Sequence, residues 1–256
     1  MKPNFGFTFG RTPESQSQEY QELVKRLEEQ AKTQTTTPDV QEPPLNTQNS
    51  NSQPQTRNNN FIYVPSINLS FSDSRLLLNK NWDETNDELR NQGLFMPTPS
   101  QFREFLKSLR DSKDANYKAL YKDITEVRSP WRSNWLNAKF EKRKNGMYTH
   151  SKNILENGKY KDVEQKITDF LSKDRTPGIS LDSWLDSNTP HGLPPANVPQ
   201  GDLYYWYPRE GNVAGFVAVS GRAYLVCDGD PSYRYASLGV FACAEGARSK
   251  NKGGKR

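Results

Sequence analysis

The chain predicts an α+β domain with two main helices followed by a terminal antiparallel β-meander. Three observations carry that expectation. Helix-start signals and apolar stripes at helical spacing fall between residues 83 and 125, and period-two alternation dominates from Val213 onward. The N-terminal sixty residues, by contrast, are too polar to bury a core. With 33% hydrophobic residues and a mean hydropathy of −0.95, part of this 256-residue chain must stay unburied, and that segment supplies it.

Residues 1–59 read as mostly disordered. From Thr33 to Asn60 the chain is rich in Gln, Thr, Asn, Pro and Ser, so burial cannot offset backbone ordering. Within it, residues 19–30 form a short amphipathic helix: Tyr20, Leu23, Val24 and Leu27 share one face. A helix this short is marginal alone and reads as frayed; the alternative is a docking helix that orders on a partner.

The folded domain is expected over residues 60–247. Phe61 to Phe71 is β-rich and opens the sheet, with Pro65 at an edge or bulge. Asp83 caps a helix through Arg90, ended by Gly93. Thr98, Pro99 and Ser100 start a second helix, striped with Phe102, Phe105, Leu106 and Leu109. Another helical pattern runs from Ala115 to Thr125, and Ser180 caps a short one through Ser187. Between these lies a long irregular stretch. Trp131, Trp135, Trp184 and Trp206 are the expected bulk of the core, although Trp206, in YYWYP, suits the floor of a ligand site equally well.

The net charge of +5 equals the contribution of Arg248, Lys250, Lys252, Lys255 and Arg256, in a basic, disordered tail over residues 248–256. The remainder holds 30 basic and 30 acidic side chains, so the folded body has no overall positive field to draw nucleic acid. The first residues lack the apolar run of a secretory signal, and no stretch has the length of a membrane helix. Surface display would then need a partner, a virion or another export route.

Catalytic and metal constellations are absent from the sequence pattern. His150 and His191 have no Cys or acidic partner at metal-ligand spacing and read as solvated. Cys227 and Cys243 are too few for a disulfide framework and read as buried thiols, although a bridge between them stays open. Asp182 and Asp186, one helical turn apart, read as a surface pair. No cofactor is expected.

The most informative segment is the last. From Gly211 to Cys243 there is no Lys, Glu, Gln, Met or Trp. Ala214, Phe216 and Ala218 alternate with Gly215, Val217 and Val219, and Ala223, Leu225 and Cys227 alternate with Tyr224, Val226 and Asp228. One row reads as fixed core and the other as a mixed display.

The run V-A-x-F-x-A-x-S-x-R-A-x-L-x-C-x-x-x-P-x-x-R-x-A-S-L-G-V-x-A, from Val213 to Ala242 after GDLYYWYPR, resembles the variable region of diversity-generating-retroelement target proteins, particularly archaeal ones. NWDETNDEL, SPWRSNWL and PGISLDSWL resemble the body of the same proteins. In that family, mutagenesis at template adenines alters chosen Asn codons, which then cannot encode the five missing residue types.

The resemblance implies a C-type-lectin-like fold, shared with formylglycine-generating enzymes, and a variable region at about 211–243. It implies ligand contact through Gly215, Val217, Val219, Gly221, Tyr224, Val226, Asp228, Gly229, Asp230, Ser232, Tyr233, Tyr235 and Phe241. The calcium motifs of sugar-binding lectins and the copper-holding cysteine pair of the enzymes are not recognisable. The expected function is non-enzymatic recognition of a protein or glycan ligand. The alternatives are an oxidase of the formylglycine-generating kind and a structural or virion scaffold.

Overall fold

The computed structural model describes residues 61–126, 131–219 and 222–247. The helix expected at 19–30, the segment 1–59, the tail 248–256 and Gly221 lie outside the described residues.

The first strand signal resolves into two strands. β1 (Phe61–Val64) and β2 (Leu69–Ser72) pair antiparallel around a 3-10 turn at Pro65–Ile67. Pro65 supplies the fixed φ and missing N–H that start the turn, and Asn68 closes it at φ 52°. The proline folds the segment back on itself directly after β1, which is an edge strand of its sheet.

Helix α1 (Trp82–Asn91) is capped by Asn81, whose side chain accepts from Glu84 N–H while Glu84 reaches back to Asn81 N–H. Asp83, expected as the cap, sits inside the first turn. Helix α2 (Pro99–Asp111) begins with the same reciprocal box between Thr98 and Gln101, and its four striped residues are fully buried. Helix α3 (Ala115–Thr125) has the expected bounds, and α4 (Leu181–Leu185) is shorter than expected.

The stretch expected to be irregular contains the longest strands. β3 (Arg132–Arg143), β4 (Gly146–Glu156) and β5 (Lys159–Ile167) form an antiparallel meander. After it come β6 (Arg175–Ile179), β7 (Leu203–Trp206), β8 (Val213–Val219), β9 (Arg222–Gly229), β10 (Leu238–Gly239) and β11 (Cys243–Glu245). An eight-stranded sheet runs β5-β4-β3-β8-β9-β7-β6, with β10 also on β3, and β1-β2-β11 make a three-stranded one.

Among the described residues the result is an α+β fold with four α-helices and mostly antiparallel sheets. The expected terminal antiparallel meander is only partly there. β8 and β9 pair antiparallel, but β7 runs parallel to β9, β10 runs parallel to β3, and β11 joins the smaller sheet.

The large sheet separates two apolar clusters. On one face Phe216, Leu225 and Tyr205 pack with Phe102, Phe105, Trp184 and Phe241 in the main core. Trp184 stacks on Phe216 at 6.1 Å, and Phe105 on Phe71 at 4.3 Å. Burying each such ring stabilises the fold by roughly 1.5–3 kcal/mol. On the other face Trp135 and Val213 pack with Trp82, Leu89 and Met96 from α1 and its following loop. The Trp82 indole donates to Leu136 O at 3.0 Å, fixing α1 across that face.

Candidate functional site

On the face of the sheet that carries Trp135, the side chains of β8 are buried, whereas those of β9 and β7 are half-buried. Alternation and register fix what stands on it. Val217 lies opposite Ser133 on β3 and Tyr224 on β9, and Tyr224 lies opposite Tyr204 on β7. One step along, Gly215 lies between Trp135 and Val226, and Val226 lies opposite Trp206. Two rows thus cross four strands on one side, and each ends in an aromatic ring on β7.

Those rings form a connected ledge. Trp206 and Tyr224 have centroids 4.7 Å apart, Tyr204 and Tyr224 are 5.7 Å apart edge to face, and Tyr204 and Trp206 are 6.1 Å apart. All three are half-buried, so each is braced by its neighbours yet keeps part of its surface in solvent. Burial pushes the Tyr224 hydroxyl up to about 12, so it stays protonated. The guanidinium of Arg222 lies 4.5 Å above the Tyr204 ring centre.

A second aromatic group comes from the segment after β9. Tyr233 and Tyr235 have ring centres 5.5 Å apart, and Tyr235 meets Trp131 edge to face at 5.5 Å. Backbone contacts hold this segment. Trp82 N–H donates to Pro231 O, and Asn79 N–H to Tyr235 O. Asp230 Oδ1 accepts from the Ser232 amide at 2.8 Å and from its hydroxyl at 2.7 Å. The path of the chain is thus set by backbone contacts at Pro231 and Tyr235 and locally by the Asp230 side chain.

The expected site residues divide between two environments. Tyr224, Val226, Asp230, Tyr233 and Tyr235 are half-buried and Ser232 is exposed, as a contact surface requires. Four others are corrected. Gly215 is buried between its strand partners Trp135 and Val226, and Val217 and Val219, 5% and 9% exposed, are buried on the central strand β8. Phe241, 2% exposed, turns into the main core, 5.7 Å from Phe105, because the chain there crosses the interior to reach β11.

Asp228 lies with Cys227 in the bulge where β9 gains a residue on β8, and Gly229 pairs with Val213 just beyond it. The Asp228 carboxylate is 17% exposed and faces Arg209 at 3.6 Å, while Arg209 also binds Asp174 at 2.9 Å. Burial, opposed by Arg209 and reinforced by Asp174, pushes Asp228 up to about 6. Asp228 therefore belongs to a partly buried ion cluster rather than to the ledge.

The histidines also depart from expectation. His191 is buried at 3% exposure, its Nε2–H donating to Thr168 O at 2.7 Å and its Nδ1 accepting from Leu193 N–H at 3.1 Å. Only a neutral ring satisfies both bonds, and burial lowers its pKa. His150 is half-buried between Glu141 and Glu164, which Arg143 also bridges. Asp182 and Asp186 are exposed and pair with Arg110.

Cys227 and Cys243 are buried and unbridged, and burial pushes both thiols well above their ordinary range, which makes them poor nucleophiles. Among the described residues no group of three His, Cys, Asp or Glu side chains could hold a metal ion, and no helix is long and apolar enough to cross a membrane.

Tyr204 belongs to the YYWYP run that suits the floor of a ligand site, whereas Arg222 was not expected at the site. Their signal was parity: each shares a row or a strand face with Tyr224. No protein-family model, curated protein or solved structure matches the chain.

Proposed function

We propose that this chain is a non-enzymatic recognition protein, a C-type-lectin-like scaffold whose replaceable residues belong to a retroelement-diversified variable region and bind a protein or glycan target. The observation that carries the reading is the aromatic ledge of Tyr204, Trp206 and Tyr224, standing half in solvent on strands whose other face is fully committed to the core. Aromatic side chains in such a setting bury large areas at small entropic cost and dominate binding energy.

The proposed replaceable set is narrower than the alternation suggested. It consists of Tyr224, Val226, Asp230, Ser232, Tyr233 and Tyr235. Gly215, Val217, Val219 and Phe241 serve the packing beneath it.

Two experiments test this. Replacing Trp206 and Tyr224 together with Ala should abolish ligand binding while leaving a cooperative thermal transition; retained binding contradicts the reading. The neighbouring DNA should hold a reverse-transcriptase gene and a near-copy of the segment encoding residues 211–243, with adenines at the codons of the replaceable set. A near-copy whose adenines fall instead at the codons of Phe216, Leu225 and Leu238 would sink the diversified-region assignment.

A further inference from the structure

We infer that the recognition surface has a constant half, in which Arg222 anchors an acidic side chain of a protein partner beside the Tyr204–Trp206 shelf. This rests on the recognition reading above. Tyr204, Trp206 and Arg222 lie outside the replaceable positions, yet they stand on the same face as Tyr224 and touch it or one another. Whatever occupies the variable positions, a ligand seated there also meets these three.

Their chemistry specifies what the ligand brings. Among the described residues Arg222 takes no carboxylate partner; its guanidinium carbon lies 4.5 Å from the Tyr204 ring centre, and its charge also acts on the Tyr224 hydroxyl. Stacking holds the planar fork in place and leaves its N–H edge for an anion, so little rotamer freedom is lost when a carboxylate docks. The other arginines near this face are already committed, Arg209 to Asp174 and Asp228 and Arg234 to Glu84. Arg222 is thus the available cation beside the ledge.

The surrounding groups favour a protein over a sugar. Tyr, Trp and Arg are the residue types enriched at protein interface hot spots. Sugar hydroxyls call for carboxylates and amides free to bond them, but Asp230 is held by Ser232 and Asp228 by Arg209. Val226, between Tyr224 and Asp228 on β9, adds an apolar patch that suits an aliphatic or aromatic side chain next to the acidic one.

The test is selection of a phage-displayed library of random dodecapeptides on the full chain. Pools from the wild type and from Arg222→Lys should be several-fold enriched in Asp or Glu next to an apolar residue, and they should not bind the Trp206→Ala/Tyr224→Ala variant. Pools from Arg222→Gln should lose the acidic enrichment while its thermal transition stays that of the wild type. Wild-type pools should also bind several-fold more weakly as NaCl rises from about 50 to about 500 mM.

Pools that need Trp206 and Tyr224 but carry no acidic preference, or keep it in Arg222→Gln, overturn the anchor and leave the recognition reading standing. Pools indifferent to Trp206 and Tyr224 overturn both. Retention of acidic sugars on a glycan array, with no peptide pool, overturns the protein partner.

Discussion

His191 shows how one ring can be fixed in a single protonation state by two backbone partners. With Nδ1 accepting from Leu193 N–H and Nε2–H bound to Thr168 O, protonation would set a donor against a donor in a buried site. Its folded pKa lies below 6.5, so the unfolded chain takes up the proton first and this contribution to stability is lost as pH falls below about 6.5. Long-range proton–nitrogen NMR should show the Nε2–H tautomer persisting to lower pH than in an unfolded reference peptide; a ring that charges at the same pH as the peptide contradicts the assignment. Asp228 has the opposite sign. Its folded value of about 6 lies above the unfolded 3.8, so folding is favoured by protonation, and this benefit declines as pH rises from about 4 to about 6. Asp228→Asn should remove that decline, worth roughly 3 kcal/mol, in thermal melts across the window. A pH dependence unchanged in the variant would place the carboxylate in water.

At the scale of the element, local chemistry was legible wherever it stood in sequence. The box between Thr98 and Gln101, the stripe on α2 and the bounds of α3 all follow from neighbouring residues. The long meander β3-β4-β5 was legible in part: Leu136, Ala138 and Phe140 alternate into the main core along β3, whereas β4 and β5 set their fewer apolar residues among many polar ones. The telling residues are Asn157 and Gly158, both at positive φ (52° and 71°) in a two-residue hairpin turn. What no local pattern carries is the bulge on β3, where buried Asn137 bonds both Lys152 N–H, at 2.9 Å, and Lys152 O, at 2.6 Å, in place of a ladder pair. Asn137→Leu leaves those groups unmet and should cost about 1–3 kcal/mol in denaturant unfolding. Gly192 is a second such position: at φ 76°, a Cβ would lie 2.1 Å from Ser100 N at the start of α2. Gly192→Ala should therefore destabilise by more than the roughly 1 kcal/mol of an ordinary glycine replacement.

At the scale of the whole molecule, alternation along β8 and β9 correctly separated the core row from its opposite, but it could not say how much of the opposite row reaches water. That depends on partners distant in sequence: α1 and the segment after β9 cover Val213 and Trp135, while β7 leaves its rings and Tyr224 open. Phe241 failed as a surface residue for the same reason, since its place is set by the crossing of the chain to β11 and not by its neighbours. The account therefore rests on a division between positions that can change and positions that cannot. The most direct measurement is saturation substitution of residues 211–243, sorted for folded protein by protease resistance on a displaying cell. Tyr224, Val226, Asp230, Ser232, Tyr233 and Tyr235 should accept most residue types, whereas Gly215, Val217, Phe216, Leu225 and Phe241 should accept few. Equal intolerance in the two sets, or free replacement of Val217 and Phe241, would contradict it.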